Sequence, residues 1–351
     1  MRKETKRVVR DISLAALASL LAVSPLVASQ IIFEKFFNTH IDTYKPLWYK
    51  IDDFDGLIRD KHIFTSNRGQ KLTGYMYSSN QISTQKAIII LSHGYGGGGQ
   101  TTYMDCTNYL CSNGFYVFAF DNTGNDESEG NGIIGFPQGI NDLNYAINYV
   151  KSLKDFKDYP IFLFGHSWGG YSVCNVLSFH PEIKAVVSIS GFNRSSGLIK
   201  AQGHRYAPGT ADAFISYVDN YEQAKFGKLS MSEAMDGFSN SSANVYIIHS
   251  KDDKVVPYET GYEIYYEKYK NNSRFTFESY NYRGHGTVYY SDEGREYTEN
   301  FEKEWKKFLN KKPTEEEKIE YLNQHIDRSI WNNRIDKEMF NRIIDFYNEN
   351  L

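Results

Sequence analysis

Short runs with almost no polar residue inside them recur along this chain: "KAIIILSHG", "FYVFAFDNTG", "YPIFLFGHS", "AVVSISG" and "NVYIIHS". A strand with one wet face alternates apolar and polar residues, whereas a strand apolar at every position has both faces covered. Between the runs lie stretches with helical spacing. These include "TTYMDCTNYLCSNG" with its glycine stop, "INDLNYAINYVKSL", and "PYETGYEIYYEKYKNN" opened by Pro257. Covered strands separated by helices require a mainly parallel sheet with helices on both faces. "KLTGYMYS", half-buried in pattern, and "RFTFESYN" extend the set of strands. Ligands of such sheets bind at the carboxyl ends of the strands, and the glycine-rich stretches of this sequence fall there.

A length of 351 residues suits one large domain or two smaller ones. The net charge of −4 supplies no basic field for nucleic acid. The 28 tyrosines and 23 phenylalanines suit broad packed surfaces or a lined cleft. Cys106, Cys111 and Cys174 have no metal-ligand spacing and, being three, cannot all pair. They read as reduced thiols in or near the core. No metal or organic cofactor is called for.

The sharpest break in composition is at the N-terminus. "MRKETKRVVRD" is basic, and Ile12 to Phe33 carries no charge. At about 1.5 Å per residue that stretch is long enough for a hydrocarbon core of about 30 Å. It is also longer than the core of an ordinary signal peptide. The expectation is an uncleaved anchor over residues 1–34, spanning through residues 12–33, with the rest of the chain outside the cytoplasmic membrane. The alternatives are a signal peptide cut after "VAS", before Gln30, which would make the chain secreted, and a buried helix of a soluble protein.

Two other intervals stand apart from the strand–helix rhythm. About fifty residues separate "AVVSISG" from "NVYIIHS", too many for a simple connection, and they read as a helical insertion over the strand ends. After residue 313 the chain is charged and helical, and Trp331, Ile335, Met339, Ile343 and Tyr347 repeat every four residues. That is one packing stripe, expected to dock on the flank of the domain; a partner-binding tail is the alternative. The resulting division is 1–34, a main domain over 35–312, and an extension over 313–351.

"GHSWG", Gly165 to Gly169, is G-x-S-x-G placed where a strand turns into a helix. The glycines permit a turn too tight for side chains, and the turn lifts Ser167 above the sheet with the next amide aimed at the same space. A nucleophilic serine needs a base, and the base an orienting carboxylate. His285 in "YRGHGTVYY" follows the last strand between glycines. Asp252 and Asp253 in "IIHSKDDKVVP" follow the strand before it, and Asp253, four residues ahead of Pro257, is the expected acid. The remaining histidines end strands, sit in glycine turns or have no motif around them. The oxyanion donors expected are the amides of Trp168 and of Tyr95 in "SHGYGGGG". Gly94, Gly96 and Gly99 with Asp121 also spell a dinucleotide fingerprint, but that reading leaves "GHSWGG", Asp253 and His285 without a purpose.

"SHGYGG", "FDNTGNDESEG", "GHSWGG", "SKDDKVVP" and "GHG" together resemble the α/β-hydrolases, and among them the exported bacterial enzymes grouped with serine aminopeptidases and monoacylglycerol-lipase-like esterases. The resemblance covers about residues 60 to 310. It implies an α/β-hydrolase fold with Ser167 as nucleophile, Asp253 as orienting acid, His285 as base and residues 192–243 as a cap. "FDNTGNDESEG" departs from the usual Arg-Gly-His-Gly form of its loop. The expected activity is hydrolysis of a small-molecule carboxylic ester through an acyl-enzyme. An aminopeptidase acting on short peptides is the alternative, with Asp212, Asp219 or Glu222 of the cap to hold a free amino terminus. A non-catalytic membrane-tethered binding protein on the same fold is the rival from another class.

Overall fold

The computed structural model describes residues 27, 30–31, 33–96, 99–206, 208–209 and 211–351. Eight strands form one sheet in the order β1-β2-β4-β3-β5-β6-β7-β8. They are β1 (Leu57–Thr65), β2 (Lys71–Ser79), β3 (Ala87–Ser92), β4 (Phe115–Phe120), β5 (Ile161–His166), β6 (Ala185–Ile189), β7 (Asn244–Ser250) and β8 (Phe275–Tyr280). β2 runs antiparallel to both of its neighbours and every other pair is parallel. In β3 and β6 every residue is buried, as their unbroken apolar runs require.

One face of the sheet carries α2 (Pro137–Ser152), α3 (Trp168–Asn175) and α7 (Tyr262–Tyr269); the other carries α1 (Met104–Ser112). The helix expected after Pro257 begins later, because Gly261 interrupts it. A Cβ at Gly261 would lie 2.2 Å from the carbonyl oxygen of Gly191. The insertion over 192–243 is helical, with α4 (Ser195–Tyr206), α5 (Ala211–Phe226) and α6 (Ala234–Asn240).

The C-terminal region is more than a flank. After α8 (Asp292–Leu309) and α9 (Glu315–His325) comes α10 (Lys337–Asn348), which lies on the α1 face of the sheet. Met339, Phe340, Ile343 and Tyr347 are fully buried there. The Tyr347 ring stacks on Phe162 of β5 at 5.2 Å, and its hydroxyl donates to the Leu163 carbonyl at 2.7 Å. Asp336 caps this helix, accepting from the amides of Glu338 and Met339. All five residues of the four-residue stripe are buried.

The expected membrane span, residues 12–33, lies almost wholly outside the described residues. Its last residue, Phe33, is buried in the domain, beside Phe37 at 4.6 Å and against Tyr221 of α5 at 4.8 Å, so it is not free to span a bilayer. Among the described residues no helix is long and apolar enough to cross a membrane.

Candidate active site

β5 ends at His166, and Ser167 follows with φ 57° and ψ −117° before α3 begins at Trp168. Positive φ strains a residue with a Cβ, at a cost of order 1–3 kcal/mol, so the surroundings must enforce it. The Ser167 amide donates to the Ile189 carbonyl at 2.8 Å, and its carbonyl accepts from the Tyr171 amide at 3.0 Å. The glycines around it are steric necessities. A Cβ at Gly165 would stand 2.3 Å from the Gly169 carbonyl oxygen, and one at Gly169 would stand 1.9 Å from that of Ser92.

His285 reaches back over the strand ends from the loop after β8. Its Nε2 lies 2.8 Å from Ser167 Oγ and its Nδ1 lies 2.7 Å from Asp253 Oδ2. Asp253 Oδ1 accepts from the amides of Val255 and Val256 at 2.9 and 2.8 Å. Burial alone would raise the Asp253 carboxyl, but hydrogen bonds from His249 and His285 hold it well below the ordinary range. It is therefore ionised at neutral pH. Asp252 does not reach His285. Its Oδ1 accepts instead from Ser250 Oγ at 2.6 Å and from the Gly284 amide at 3.0 Å, which fixes the residue just before His285.

The proposed donors stand free. Among the described residues the main-chain amides of Tyr95 and Trp168 have no hydrogen-bond partner. Gly94 packs on the serine, since a Cβ there would lie 3.3 Å from Ser167 Cβ. The two donor residues touch through their rings, at right angles with centroids 6.1 Å apart.

Three supporting residues were not legible as such in the sequence. His166 is buried, and burial followed by the charge of His285 draws its imidazole down to about 3, so it is neutral. Tyr103 accepts from the Gly94 amide at 3.1 Å and lies 2.8 Å from His166 Nδ1, while His166 Nε2 lies 3.1 Å from the His285 carbonyl. One consistent proton arrangement follows: the tyrosine donates to Nδ1, and Nε2–H donates to the carbonyl. The loop of Tyr95 and the loop of His285 are thereby joined through two side chains. His249, wholly buried, brings its Nε2 to 3.3 Å from the same Asp253 Oδ2 that His285 contacts. Only the pairing of partners 63 and 119 residues apart gives Tyr103 and His166 these roles, and no local pattern carries it.

The residues of the dinucleotide fingerprint are otherwise engaged. Asp121 is buried and accepts from the Gln100 amide at 2.8 Å, and a Cβ at Gly99 would collide with its carboxylate at 2.0 Å. No room is left there for a ribose.

A cavity of about 530 Å³ opens on Ser167 and His285. Its walls are Thr43, Leu47 and Tyr49 from the N-terminal side, Tyr289 and Tyr290 after the base, and Trp331 and Arg334 from the C-terminal region. No described cap residue lines it. Arg334 is buried, with its guanidinium 3.7 Å over the Trp331 ring and Nη2 donating to the Tyr49 hydroxyl at 2.8 Å. Glu299 and Glu302 of α8 also line the cavity. The three cap acids lie elsewhere or are occupied: Asp212 pairs with Lys200 and His204, and Glu222 is buried with Ser195 Oγ donating to it at 2.7 Å.

A family model described as serine aminopeptidase, S33, matches residues 83–207. The uncharacterized protein YfhR of Escherichia coli K12 is 25% identical over 206 residues, which are 58% of this chain and 66% of that protein. Rat monoglyceride lipase is 37% identical over 89 residues, 25% of this chain and 28% of the lipase. The chain thus spans less than two thirds of either relative's length. Among solved structures, the Pyrococcus furiosus esterase Pf2001 superposes with a TM-score of 0.54 at 19% identity, covering 75% of this chain and 95% of the esterase, a likeness of fold. With the mainly parallel eight-stranded sheet and the serine on its strand-to-helix turn, these similarities give the chain an α/β-hydrolase fold, with residues 83–207 similar to the serine aminopeptidase family.

Proposed function

We propose that the protein is a serine hydrolase that cleaves carboxylic esters by acyl transfer. The observation that carries this reading is His285 bridging Ser167 and Asp253 at 2.8 and 2.7 Å on a strained turn. Ser167 Oγ attacks the ester carbonyl while His285 Nε2 takes its proton. The amides of Tyr95 and Trp168 hold the oxyanion of the tetrahedral intermediate. Asp253, ionised and hydrogen-bonded to Nδ1, keeps the imidazole in the working tautomer and stabilises it when it is charged. His285 then protonates the leaving alcohol, and a water deprotonated by His285 releases the acyl group. An aromatic cavity of this size accommodates a small amphiphilic ester, which agrees with the similarity to a monoglyceride lipase and an esterase.

A second reading, removal of amino-terminal residues from short peptides, is favoured by one observation. Glu299 and Glu302 line the same cavity as Ser167 and offer the carboxylates that a free ammonium requires, in place of the cap acids. Initial rates on a panel of p-nitrophenyl esters and aminoacyl anilides separate the two. We expect turnover of the esters, abolished by Ser167→Ala with a loss of up to about 10⁶. Turnover of the anilides alone would make the peptide reading correct, and full activity of Ser167→Ala would overturn both. Asp253→Asn is expected to cost far more than Asp252→Asn, because only the former contacts the imidazole.

The uncharged run Ile12–Phe33, with its basic flank, supports placement of the domain outside the cytoplasmic membrane on an anchor, although Phe33 itself packs into the domain. Fractionation and N-terminal sequencing from the native host test it. A mature chain starting near Gln30 in the medium would mean secretion instead.

A further inference from the structure

The Tyr95 donor lies between two glycines, Gly94 and Gly96, which have no side chain to pack. Gly96 sits at φ +89° with nothing within 4 Å of where its Cβ would be. A glycine-rich loop has the most conformational freedom to lose, so a donor fixed to a fraction of an ångström must be held from outside. Two of the contacts on the Tyr95 side chain come from one segment far upstream in the chain. Its hydroxyl donates to the Phe36 carbonyl, and its ring packs on Phe37 with centroids 5.9 Å apart. The other two are Phe136 and Trp168.

The same segment also holds the far end of the loop. The Gly99 amide donates to Asp126 Oδ2 at 2.8 Å. Asp126 in turn accepts from the Thr43 amide at 2.6 Å and from Thr43 Oγ1 at 2.8 Å, and its own amide donates to the Ile41 carbonyl at 3.0 Å. Asp126 adopts φ +41°, a conformation that needs such enforcement.

The segment is itself firmly seated. The Ile41 amide donates to the Gly124 carbonyl at 2.9 Å and the Ile134 amide to the Phe37 carbonyl at 2.8 Å. Gly132 lies so close that a Cβ there would be 2.5 Å from the Phe37 carbonyl oxygen. Phe33 and Phe37 are both buried, and Glu34 pairs with Lys225 of the cap at 3.4 Å.

From these contacts we infer that residues 33–43 are a clamp on the oxyanion loop: Phe36 and Phe37 grip its front at Tyr95, and Ile41 and Thr43 grip its back through Asp126. The inference rests on the acyl-transfer reading. These are positioning residues, since none of the contacts described brings them to the reacting atoms. Residues 33–43 lie outside 83–207, the part that the family model matches, while Tyr95 and Asp126, which they grip, lie inside it. The clamp also means that the chain leaving the apolar run at residue 33 enters directly into the site's machinery.

The test uses the full-length protein and two variants. Tyr95→Phe removes the hydroxyl that binds the Phe36 carbonyl and keeps both ring and amide. Asp126→Asn weakens the rear grip. Losing an oxyanion donor outright costs roughly 10²–10³ in turnover, and a donor left loose is expected to cost less. We therefore expect kcat to fall about tenfold in each variant, KM to stay within about twofold, and the inhibition constant of an alkyl boronic acid, which mimics the tetrahedral state, to rise with the loss in kcat. A purely structural role would lower the melting midpoint and leave the boronate affinity of the folded fraction unchanged.

Wild-type kcat in both variants, or a loss of kcat without loss of boronate affinity, overturns the clamp. Should Asp126→Asn fold poorly, Tyr95→Phe decides alone. Ser167→Ala, run in parallel, keeps the two levels apart. If it is inactive while both folded variants match wild type, the clamp is wrong and the acyl-transfer reading stands. If it retains turnover, both are wrong.

Discussion

The cap and the C-terminal region both lie outside the minimal strand–helix repeat, and they divide the work differently from what their sequence positions suggest. The cap is inserted at a strand end, where ligands bind in such sheets, yet no described residue of it lines the cavity that opens on Ser167. The C-terminal region follows the last strand and would be expected on the periphery, yet Trp331 and Arg334 line that cavity. Asp336 pairs with Arg283 at 2.7 Å, two residues before the base. Packing separates them further. The helix Lys337–Asn348 buries six side chains on the sheet, whereas among the described side chains of Ala211–Phe226 only Val218 and Glu222 are buried. Where an insertion leaves the chain does not say which wall of the site it builds. The apolar area it has to bury is the better guide.

The contrast can be broken in four ways. The largest expected effect is on stability. Phe340→Ala empties a fully buried position and should cost about 3–5 kcal/mol in denaturant unfolding. A loss under about 1 kcal/mol would show that the region is a removable appendage after all.

The second effect is pH-dependent and belongs to the cap. Burial, opposed by the Ser195 hydrogen bond, raises Glu222 to about 8, with Asp219 adding to the rise and Arg194 opposing it. The folded protein keeps a proton that the unfolded chain releases above its ordinary value of 4.5. Stability associated with the cap should therefore fall as pH rises from about 4.5 to 8, by an amount on the order of 2–4 kcal/mol. The C-terminal region behaves oppositely. Burial would raise Asp336, but Arg283 and the helix amides hold it low, so its contribution is present above its unfolded value and lost only in acid. Hydrogen exchange at pH 5 and pH 8 should show the cap loosening and the helix Lys337–Asn348 unchanged, with Glu222→Gln abolishing the difference. Equal loosening of both regions would refute the assignment.

Third, Trp331→Leu should raise KM for a bulky ester about tenfold, a change of ~1.4 kcal/mol, with little change in kcat. An unaltered KM would remove this residue from the substrate wall. The smallest effect is expected at Tyr206, which is 80% exposed at the end of the cap's first helix. Tyr206→Ser should change stability by no more than about 0.5 kcal/mol and leave KM where it was. A marked rise in KM would mean that the cap does meet the substrate, and the contrast drawn here would fail.

The sheet from β2 to β8 was legible because each strand announces itself in a few neighbouring residues, as in the unbroken run of Ile88, Ile89 and Ile90. β1 was not. It is an edge strand with Leu57 and Phe64 as its buried residues and Arg59, Asp60 and Lys61 between them, so no apolar period marks it. Ser167, Asp253 and His285 were legible because chemistry and glycine content coincide at successive strand ends, and the structure brings all three together. The environment around them was hidden. His166 looked like part of a glycine turn, and its link from Tyr103 to the His285 main chain exists only in three dimensions. The cavity wall was hidden for the same reason. Trp331 repeats in step with Ile335 and Met339 as one apolar stripe, and periodicity does not distinguish a residue facing the core from one at the edge of a cleft.

The helix Lys337–Asn348 has one more consequence, which lies in time rather than in space. It covers Phe162 and supports the carbonyl of Leu163, on the strand that ends at the nucleophile, yet it is synthesised after all eight strands. At roughly 5–20 residues per second the ribosome takes several seconds to travel from the end of β8 to this helix. For that interval the α1 face of the sheet is apolar and partly bare, a state prone to pairing with the wrong partner. A nascent chain of this protein is therefore expected to need a chaperone most when its eighth strand is complete and its last helix is not.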